Sequence, residues 1–310
     1  MLTIDHTKTR ALSAMQTGLR DAVYLFVKNE PHAEEKLKHN RLRLIMSISL
    51  VDNLVERVLF HRQNKLEIAM CDDITFKPGM GLHDAGMQSL YSWFLEREAE
   101  YPLCSTDVSA WDWSIPGWLL DMAGDYRLSL ATDQGAFAKL VRCHYHTLSY
   151  KTFQTPDGKL YAQTLPGIQA SGSYNTSSDN SHMRHMLATL AQLRSGLTPT
   201  SAVEGAQMGD DAIERDVPGL KESYESFGFR VKGIETQLPG HFSFCSTAFE
   251  GNWMGKPENW GKTLFRFLFK SPADAMYDTY RAQFEGDLRH SPELDGLKPR
   301  LDEFSKLIGA

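Results

Sequence analysis

The sequence predicts an α+β fold. Strand-like and helix-like stretches follow one another irregularly instead of repeating as βαβ units. The 310 residues are 42% hydrophobic and 23% charged, the composition of one or two globular domains with a buried core. No internal repeat, low-complexity run or linker interrupts that pattern. A disordered tail, a collagenous repeat and a disulfide-dense miniprotein are thereby excluded.

Taken in order, Leu12, Met15, Leu19 and Ala22 fall at helical spacing. A β-prone run, Val23 to Val27, leads into a polar segment from Lys28 to Asn40. Arg41 to Ser49 alternates at first and reads as a strand, with Ser49 and Asp52 forming a capping box for a helix carrying Val51, Leu54, Val55, Val58 and Leu59 on one side. Pro78 to Gly81 is a loop, after which Asp84 can cap a helix bearing Met87, Leu90, Tyr91 and Phe94. A short strand is expected from Leu103 to Ser109, then a helix with Pro116 in its first turn, then a helix from Gln134 to Leu148. Lys151–Thr155 and Lys159–Gln163 flank the turn Pro156-Asp-Gly158 as a hairpin. Beyond a loop at Gly167–Gly172, a long helix with a polar face runs to about Arg194. Two β-like stretches flank Gly209-Asp210-Asp211, a helix covers Leu220 to Phe227, and Phe242 to Phe249 forms a second hairpin. The last sixty or so residues read as helices, with Leu264, Phe267 and Leu268 on one stripe.

Several function classes lose support at once. The net charge of −6 lacks the strongly basic footprint of a general nucleic-acid binder. Cys71, Cys104, Cys143 and Cys245 lie far apart without a CxxC pair, as reduced thiols do. The N-terminus has no signal-peptide core, and no apolar run approaches the roughly 18 residues of a membrane span, so the chain is expected to be soluble and intracellular. Cys143-His-Tyr-His146 and His182-x2-His185 lack the paired spacing of a zinc site and read as helix-face residues. Most of Trp111, Trp113 and Trp118 are expected in packing, although such rings can stack on bases.

The chemistry points to carboxylates. Asp107 lies at the end of a strand and Asp112 follows five residues later. Asp210 and Asp211 are adjacent in a tight turn. Alone, such a pair reads as a solvated turn, but its mutual repulsion is offset if a hard divalent cation binds there. Acids from two strand ends could hold two ions about 3.5–4 Å apart, the geometry of in-line phosphoryl transfer. Between them, Ser171 to Ser181 is dense in hydroxyl and amide groups, with Gly172 at a bend. Thr176 and Asn180 share a helical face that could bond a sugar hydroxyl, or form the polar first turn of a surface helix.

Asp107-x4-Asp112, Ser171-Gly172-x3-Thr176-x3-Asn180 and Gly209-Asp210-Asp211, in that order, resemble motifs A, B and C of the RNA-dependent RNA polymerases of positive-strand RNA viruses. Lys28-Asn-Glu-Pro-His32, continuing through Lys36 to Arg41-Leu-Arg43, resembles motif F, and Phe242 to Phe249 resembles motif E. The wording is most similar to the sobemovirus, barnavirus and polerovirus branch, over roughly residues 22 to 250.

The resemblance implies a right-hand polymerase: a palm with an RNA-recognition-like antiparallel sheet and helices, fingers, and a small helical thumb. Fingers would cover 1–102 and 126–165, palm 103–125 and 166–250, and thumb 251–310. Asp107 and Asp210, supported by Asp211, would hold two Mg2+ ions, for which Mn2+ can substitute. Asp112 and Asn180 would read the ribose 2′-hydroxyl, with Ser171, Gly172 and Thr176 assisting; that hydroxyl separates RNA from DNA. Arg43, with Lys28 and Arg41, would meet the nucleoside triphosphate. The segment Lys28–Arg43 holds five basic and three acidic residues, a local excess suited to a triphosphate rather than a duplex. Lys232 would match the motif D lysine that protonates departing pyrophosphate.

The implied partners are an RNA template, a primer or nascent strand, ribonucleoside triphosphates and other viral replicase proteins. The implied location is the host cytoplasm, reaching membrane-associated replication sites through partners. About twenty residues precede motif F and about sixty follow motif E, as in a compact polymerase or an excised part of a longer viral protein. Two rival readings are a reverse transcriptase, against which Gly209 and Asn180 argue, and a replicase module that binds RNA without efficient turnover.

Overall fold

The computed structural model describes residues 4–30, 32, 34–132, 135–199, 205–270 and 275–308. It is α+β. The chain opens with α1 (Ile4–Thr17), β1 (Val23–Val27), α2 (Glu34–Lys38), β2 (Leu44–Ser47) and α3 (Leu50–Ala69). Next come α4 (Asp84–Glu98), β3 (Leu103–Val108), α5 (Trp111–Ser114), α6 (Gly117–Ser129) and α7 (Ala136–Ser149). The hairpin β4 (Thr152–Gln154) and β5 (Leu160–Ala162) precedes α8 (Thr176–Arg194). A second hairpin, β6 (Gly205–Met208) and β7 (Asp211–Arg215), leads to α9 (Leu220–Ser226) and β8 (Val231–Thr236). The remainder is β9 (His241–Phe244), β10 (Thr247–Glu250), β11 (Lys256–Pro257), α10 (Trp260–Leu268), α11 (Tyr277–Asp287) and α12 (Glu293–Ile308). No described helix is long and apolar enough to cross a membrane, and all four cysteines are free thiols.

The chain divides into two compact units. The first holds α1 to Lys28, Glu34–Met80 and Leu103–Thr236. Its central sheet, ordered β6-β7-β3-β8, is antiparallel throughout. Helix α8 packs on β6 and β7, and α9 packs on α8 and β8. A second, mixed sheet runs β2-β1-β4-β5, with β1 and β4 parallel. The core joins Met46 and Phe60 to Trp111, Leu119, Met183, Leu187 and Phe229.

The second unit holds Gly81–Pro102 and the described chain from Gln237 onward. In it α4 lies against the β9–β10 hairpin, with Phe94 and Phe242 stacked at 4.0 Å and Phe249 4.5 Å from Phe242. Its three last helices enclose Phe267, Phe284, Leu288 and Leu301.

Several element edges differ from the sequence reading, each for a local reason. Gly18, at φ +71°, donates to Ala14 O and ends α1, so Leu19 leaves the apolar stripe and is exposed. Asn40 turns left-handed and Arg41 N–H bonds Lys36 O, which closes α2 inside the stretch read as polar and delays β2 to Leu44. Ser49 does cap α3 by accepting from Asp52 N–H, but Val58 turns to solvent. At α4 the cap is His83, which accepts from Gly86 N–H at 3.2 Å, whereas Asp84 pairs with Arg289 and His290. Pro116 occupies the N-cap of α6, one step before its first turn. Gln134 lies outside the described residues, and α7 begins at Ala136. Leu268 is exposed while Phe267 is buried. Trp111 is core, stacked on Phe229 at 5.2 Å, but Trp113 and Trp118 are exposed. The polar face of α8 is not a surface: Ser178, Asp179, Asn180, His182 and Arg184 are all buried.

Candidate active site

The acids meet because one strand and one hairpin are neighbours in the central sheet. Strand β3 pairs with β7 through Leu103↔Arg215, Cys104↔Glu214 and Ser105↔Ile213. Two further steps of that register bring the position of Asp107 level with Asp211. Between β6 and β7 only Gly209 and Asp210 turn the chain, Met208 being paired with Asp211. Gly209 takes φ +67°, which a two-residue hairpin turn favours in glycine, and its N–H donates to Ser181 Oγ of α8 at 2.9 Å. Asp107, Asp210 and Asp211 are all exposed at this edge.

On the other side of β3, Asp107 faces Gly233 of β8. From that strand Lys232 reaches across, its Nζ donating to both carboxylate oxygens of Asp107 at 2.9 and 3.0 Å. Lys232 lies inside that strand. The ladder slips between Asp107 and Val108, and Ala110 is left-handed at φ +49°, so the chain leaves the sheet and enters α5.

That turn presents Asp112 to α8. Asn180 Nδ2 donates to Asp112 Oδ1 at 2.8 Å, and Asn180 Oδ1 is buried with no hydrogen-bond partner among the described residues. Burial pushes the Asp112 carboxyl up to about 6, and the charge of Asp210 adds to this, while the Asn180 hydrogen bond and the Arg43 charge oppose it. Folded Asp112 therefore keeps its proton to a higher pH than the unfolded chain does, so stability falls as pH rises from the ordinary 3.8 through about 6. Asp112→Asn removes that penalty. The variant is expected to be more stable than the parent at pH 8 by about 1–3 kcal/mol, with the advantage shrinking towards pH 4. Urea unfolding at the two pH values checks this; an equal difference at both would defeat it.

The other polar residues near Asn180 serve the backbone. Ser171 Oγ accepts from Met46 N–H of β2 at 3.1 Å. A Cβ at Gly172 would lie 2.3 Å from Met46 O, so only glycine fits this approach. Thr176 Oγ1 donates to Ala170 O and Ser173 O at 2.7 and 2.9 Å. Gln169 N–H donates to Asp112 O at 2.8 Å, tying the loop before α8 to the turn that carries Asp112.

Among the cations, Lys28 N–H bonds Arg43 O at 2.8 Å, which sets these two residues side by side beyond β1 and β2. The charge of Arg43 reaches Asp112. Arg41 is exposed on the loop before β2. Pro31, within the segment that resembles motif F, lies outside the described residues.

Residues 3–93 and 102–248 match the family model described as viral RNA-directed RNA-polymerase. The chain belongs to that family. It is 40% identical over 283 residues to the RNA-directed RNA polymerase of Mushroom bacilliform virus, covering 90% of this chain and 67% of the relative. It is 38% identical over 263 residues to replicase polyprotein P2AB of Southern bean mosaic virus, covering 82% of this chain and 26% of that polyprotein. With protein P1-P2 of Turnip yellows virus the identity is 36% over 298 residues, covering 90% and 27%. Among solved structures, an insertion-loop deletion mutant of the RNA-dependent RNA polymerase of a human picorbirnavirus superimposes with a TM-score of 0.67 at 15% identity, covering 89% of this chain and 56% of that one. The viral polymerase fold is thereby shown.

For a member of this polymerase family, the donor set at the sheet edge is suitable for a hard cation. Among the described residues no three His, Cys, Asp or Glu groups are gathered closely enough to form a cage. Asp107 nevertheless already binds a cation, the Lys232 ammonium, through both oxygens. Magnesium is commonly held by one or two carboxylates together with substrate phosphates, so exposed carboxylates on adjoining strands fit it.

Beneath this polymerase's acids lies a set that sequence reasoning missed. Arg184 and Glu214 are fully buried 3.5 Å apart, and Tyr224 OH donates to both Glu214 oxygens at 3.1 and 3.0 Å. Thr106, the residue before Asp107, bonds both Arg184 and Glu214. The nearest signal in the sequence is Glu214, an acid directly after the apolar pair Ala212-Ile213 in β7, and it names no partner.

Proposed function

We propose that this chain is the catalytic core of an RNA-dependent RNA polymerase, which copies viral RNA by two-metal nucleotidyl transfer to a 3′-hydroxyl with release of pyrophosphate. The observation that carries this reading is the convergence of Asp107 from β3, Asp210 and Asp211 from the β6–β7 hairpin, and the Asp112–Asn180 pair at one end of an antiparallel sheet. Family membership supports it.

Asp107 and Asp210 would hold two Mg2+ or Mn2+ ions, with Asp211 supporting them. Such ions, when bound, activate the attacking hydroxyl and stabilise charge on the leaving phosphates. The chain's own residues do the positioning that dominates phosphoryl transfer. Arg43, Lys28 and Arg41 take the triphosphate, where Arg can bond phosphate oxygens bidentately. Asp112 and Asn180 take the ribose, and Asn180 Oδ1, which has no hydrogen-bond partner among the described residues, would accept from a 2′-hydroxyl. Ser171, Gly172 and Thr176 shape the loop that holds Asn180. Lys232 Nζ leaves Asp107 and gives its proton to the departing pyrophosphate. The RNA template, primer or nascent strand and ribonucleoside triphosphates are the substrates. Other replicase proteins would join the enzyme in the host cytoplasm.

Primer extension on a homopolymeric RNA template with labelled ribonucleotide tests the reading, and metal-dependent extension is expected. A folded, RNA-binding protein that extends nothing would instead be a binding module, and extension with deoxynucleotides alone would make it a reverse transcriptase. Asn180→Ala is expected to lower the preference for ribonucleotides over deoxyribonucleotides by at least about tenfold, since a site that bonds a substrate hydroxyl discriminates strongly against its absence. An unchanged ratio in a competition assay would remove Asn180 from ribose selection.

A further inference from the structure

The first turn of α8 is anchored from behind by charge. Asp179 is fully buried, and both its oxygens are engaged: Oδ1 accepts from Arg127 Nε at 3.2 Å and Nη2 at 2.8 Å, and Oδ2 accepts from Tyr145 OH at 3.0 Å. Arg127 is itself fully buried on α6, with its guanidinium 5.1 Å from the centre of the Phe60 ring. The same Nη2 donates to Ser178 Oγ at 3.0 Å, and Ser178 donates on to Glu67 Oε2 at 2.7 Å. Arg127 Nη1 donates to Asn64 Oδ1 at 2.7 Å, and Asn64 Nδ2 donates to Oδ1 of Asn175, the N-cap of α8, at 2.8 Å. One guanidinium thus reaches residues 175, 178 and 179 of a single turn.

We propose that Arg127 is a positioning residue for ribose selection: through Asp179 it sets the rotation of the first turn of α8, so that Asn180 meets Asp112. The inference rests on the ribose role proposed for Asn180. Successive residues of an α-helix are separated by a fixed angle of about 100°, so fixing the direction of Asp179 fixes that of Asn180. The reach of Asn180 Nδ2 to Asp112 depends on that rotation. Apolar packing alone would leave the turn more rotational freedom, because dispersion contacts are not directional, whereas the Asn64, Ser178 and Tyr145 side chains bonded to one planar guanidinium and one carboxylate define its orientation. Arg127 bonds Asn64, Ser178 and Asp179 and pairs with Glu67, so its effect on the nucleotide would pass through the helix.

The test separates anchoring from folding. Arg127→Leu alone leaves the Asp179 carboxylate buried without its Arg127 counter-charge, and the thermal midpoint is expected to drop. The double variant Arg127→Leu/Asp179→Leu removes both charges, and replacement of a buried pair by apolar groups of similar volume is often neutral in stability. The double variant is therefore expected to recover much of the midpoint. Its ribonucleotide-over-deoxyribonucleotide ratio should still fall about tenfold, mainly through KM for the ribonucleotide, and amide exchange over residues 176–181 should quicken. A folded double variant with the parental ratio overturns the proposal. If the double variant does not fold, Tyr145→Phe decides: it deletes one hydroxyl on Asp179, and a roughly threefold fall in the ratio is expected, whereas no change overturns the proposal. Asn180→Ala runs alongside. If it too keeps the parental ratio, the ribose reading of Asn180 fails and takes this inference with it. If it lowers the ratio while the anchor variants do not, only this inference fails.

Discussion

Asp210→Ala is expected to reduce nucleotide incorporation by at least about a thousandfold and to leave the fold in place. The two halves of that expectation have separate grounds. Asp210 is exposed on a two-residue hairpin turn, and substitutions at such positions usually change stability little. The loss of activity follows from the proposed metal role, because Asp107 and Asp211 alone would leave the second ion without its main ligand. A readout independent of turnover accompanies it. The Asp210 charge helps to hold the Asp112 carboxyl up at about 6, so Asp210→Ala should lower that value, as a carboxyl-labelled NMR titration would report. Unchanged turnover would end the metal assignment. An unchanged Asp112 titration would mean that the two carboxylates do not sense one another.

What the sequence discloses is what is local. Gly209 turns the chain because a two-residue hairpin favours a left-handed glycine, and Thr176 and Asn180 share a face because four residues make about one helical turn. The acids were therefore legible, as were the hairpins at Pro156-Asp-Gly158 and Phe242–Phe249 and the cap at Ser49. Long-range pairing was not. Lys232 meets Asp107 across 125 positions, and Arg127 meets Asp179 across 52, and nothing in either neighbourhood marks its partner. Polar residues on α8 read as a solvated face because hydrophobic patterning treats polar as outward. Here that face is turned inward, where each buried charge finds a partner on another helix or strand. Ser171 and Thr176 were legible as polar residues near a nucleotide, but their hydroxyls are committed to backbone groups at the loop. A spacing argument cannot divide a hydroxyl between those two uses.

The pair beneath the acids supports the second large expectation. Glu214→Ala should cost about 3–5 kcal/mol of unfolding free energy, since it strands a charge that stays buried. Arg184 has no exposed surface and lies between the rings of Trp111 and Tyr224, each 5.2 Å from its guanidinium carbon. Its Nε and Nη1 have no hydrogen-bond partner among the described residues, so Glu214 and Thr106 supply most of its compensation. Tyr224 OH would lose its acceptor as well. The surface chemistry should survive, because in β3 Thr106 faces inward to this pair while Asp107 faces out. Glu214→Ala is thus expected to lower the urea midpoint sharply while specific activity, measured on folded protein at low temperature, stays within a few-fold of the parent. Arg184→Met/Glu214→Leu removes both charges and should recover most of the loss. If the single variant proves as stable as the parent, the ion pair does not hold the sheet under the acids. If activity collapses while stability holds, Glu214 acts on the site directly rather than through β3.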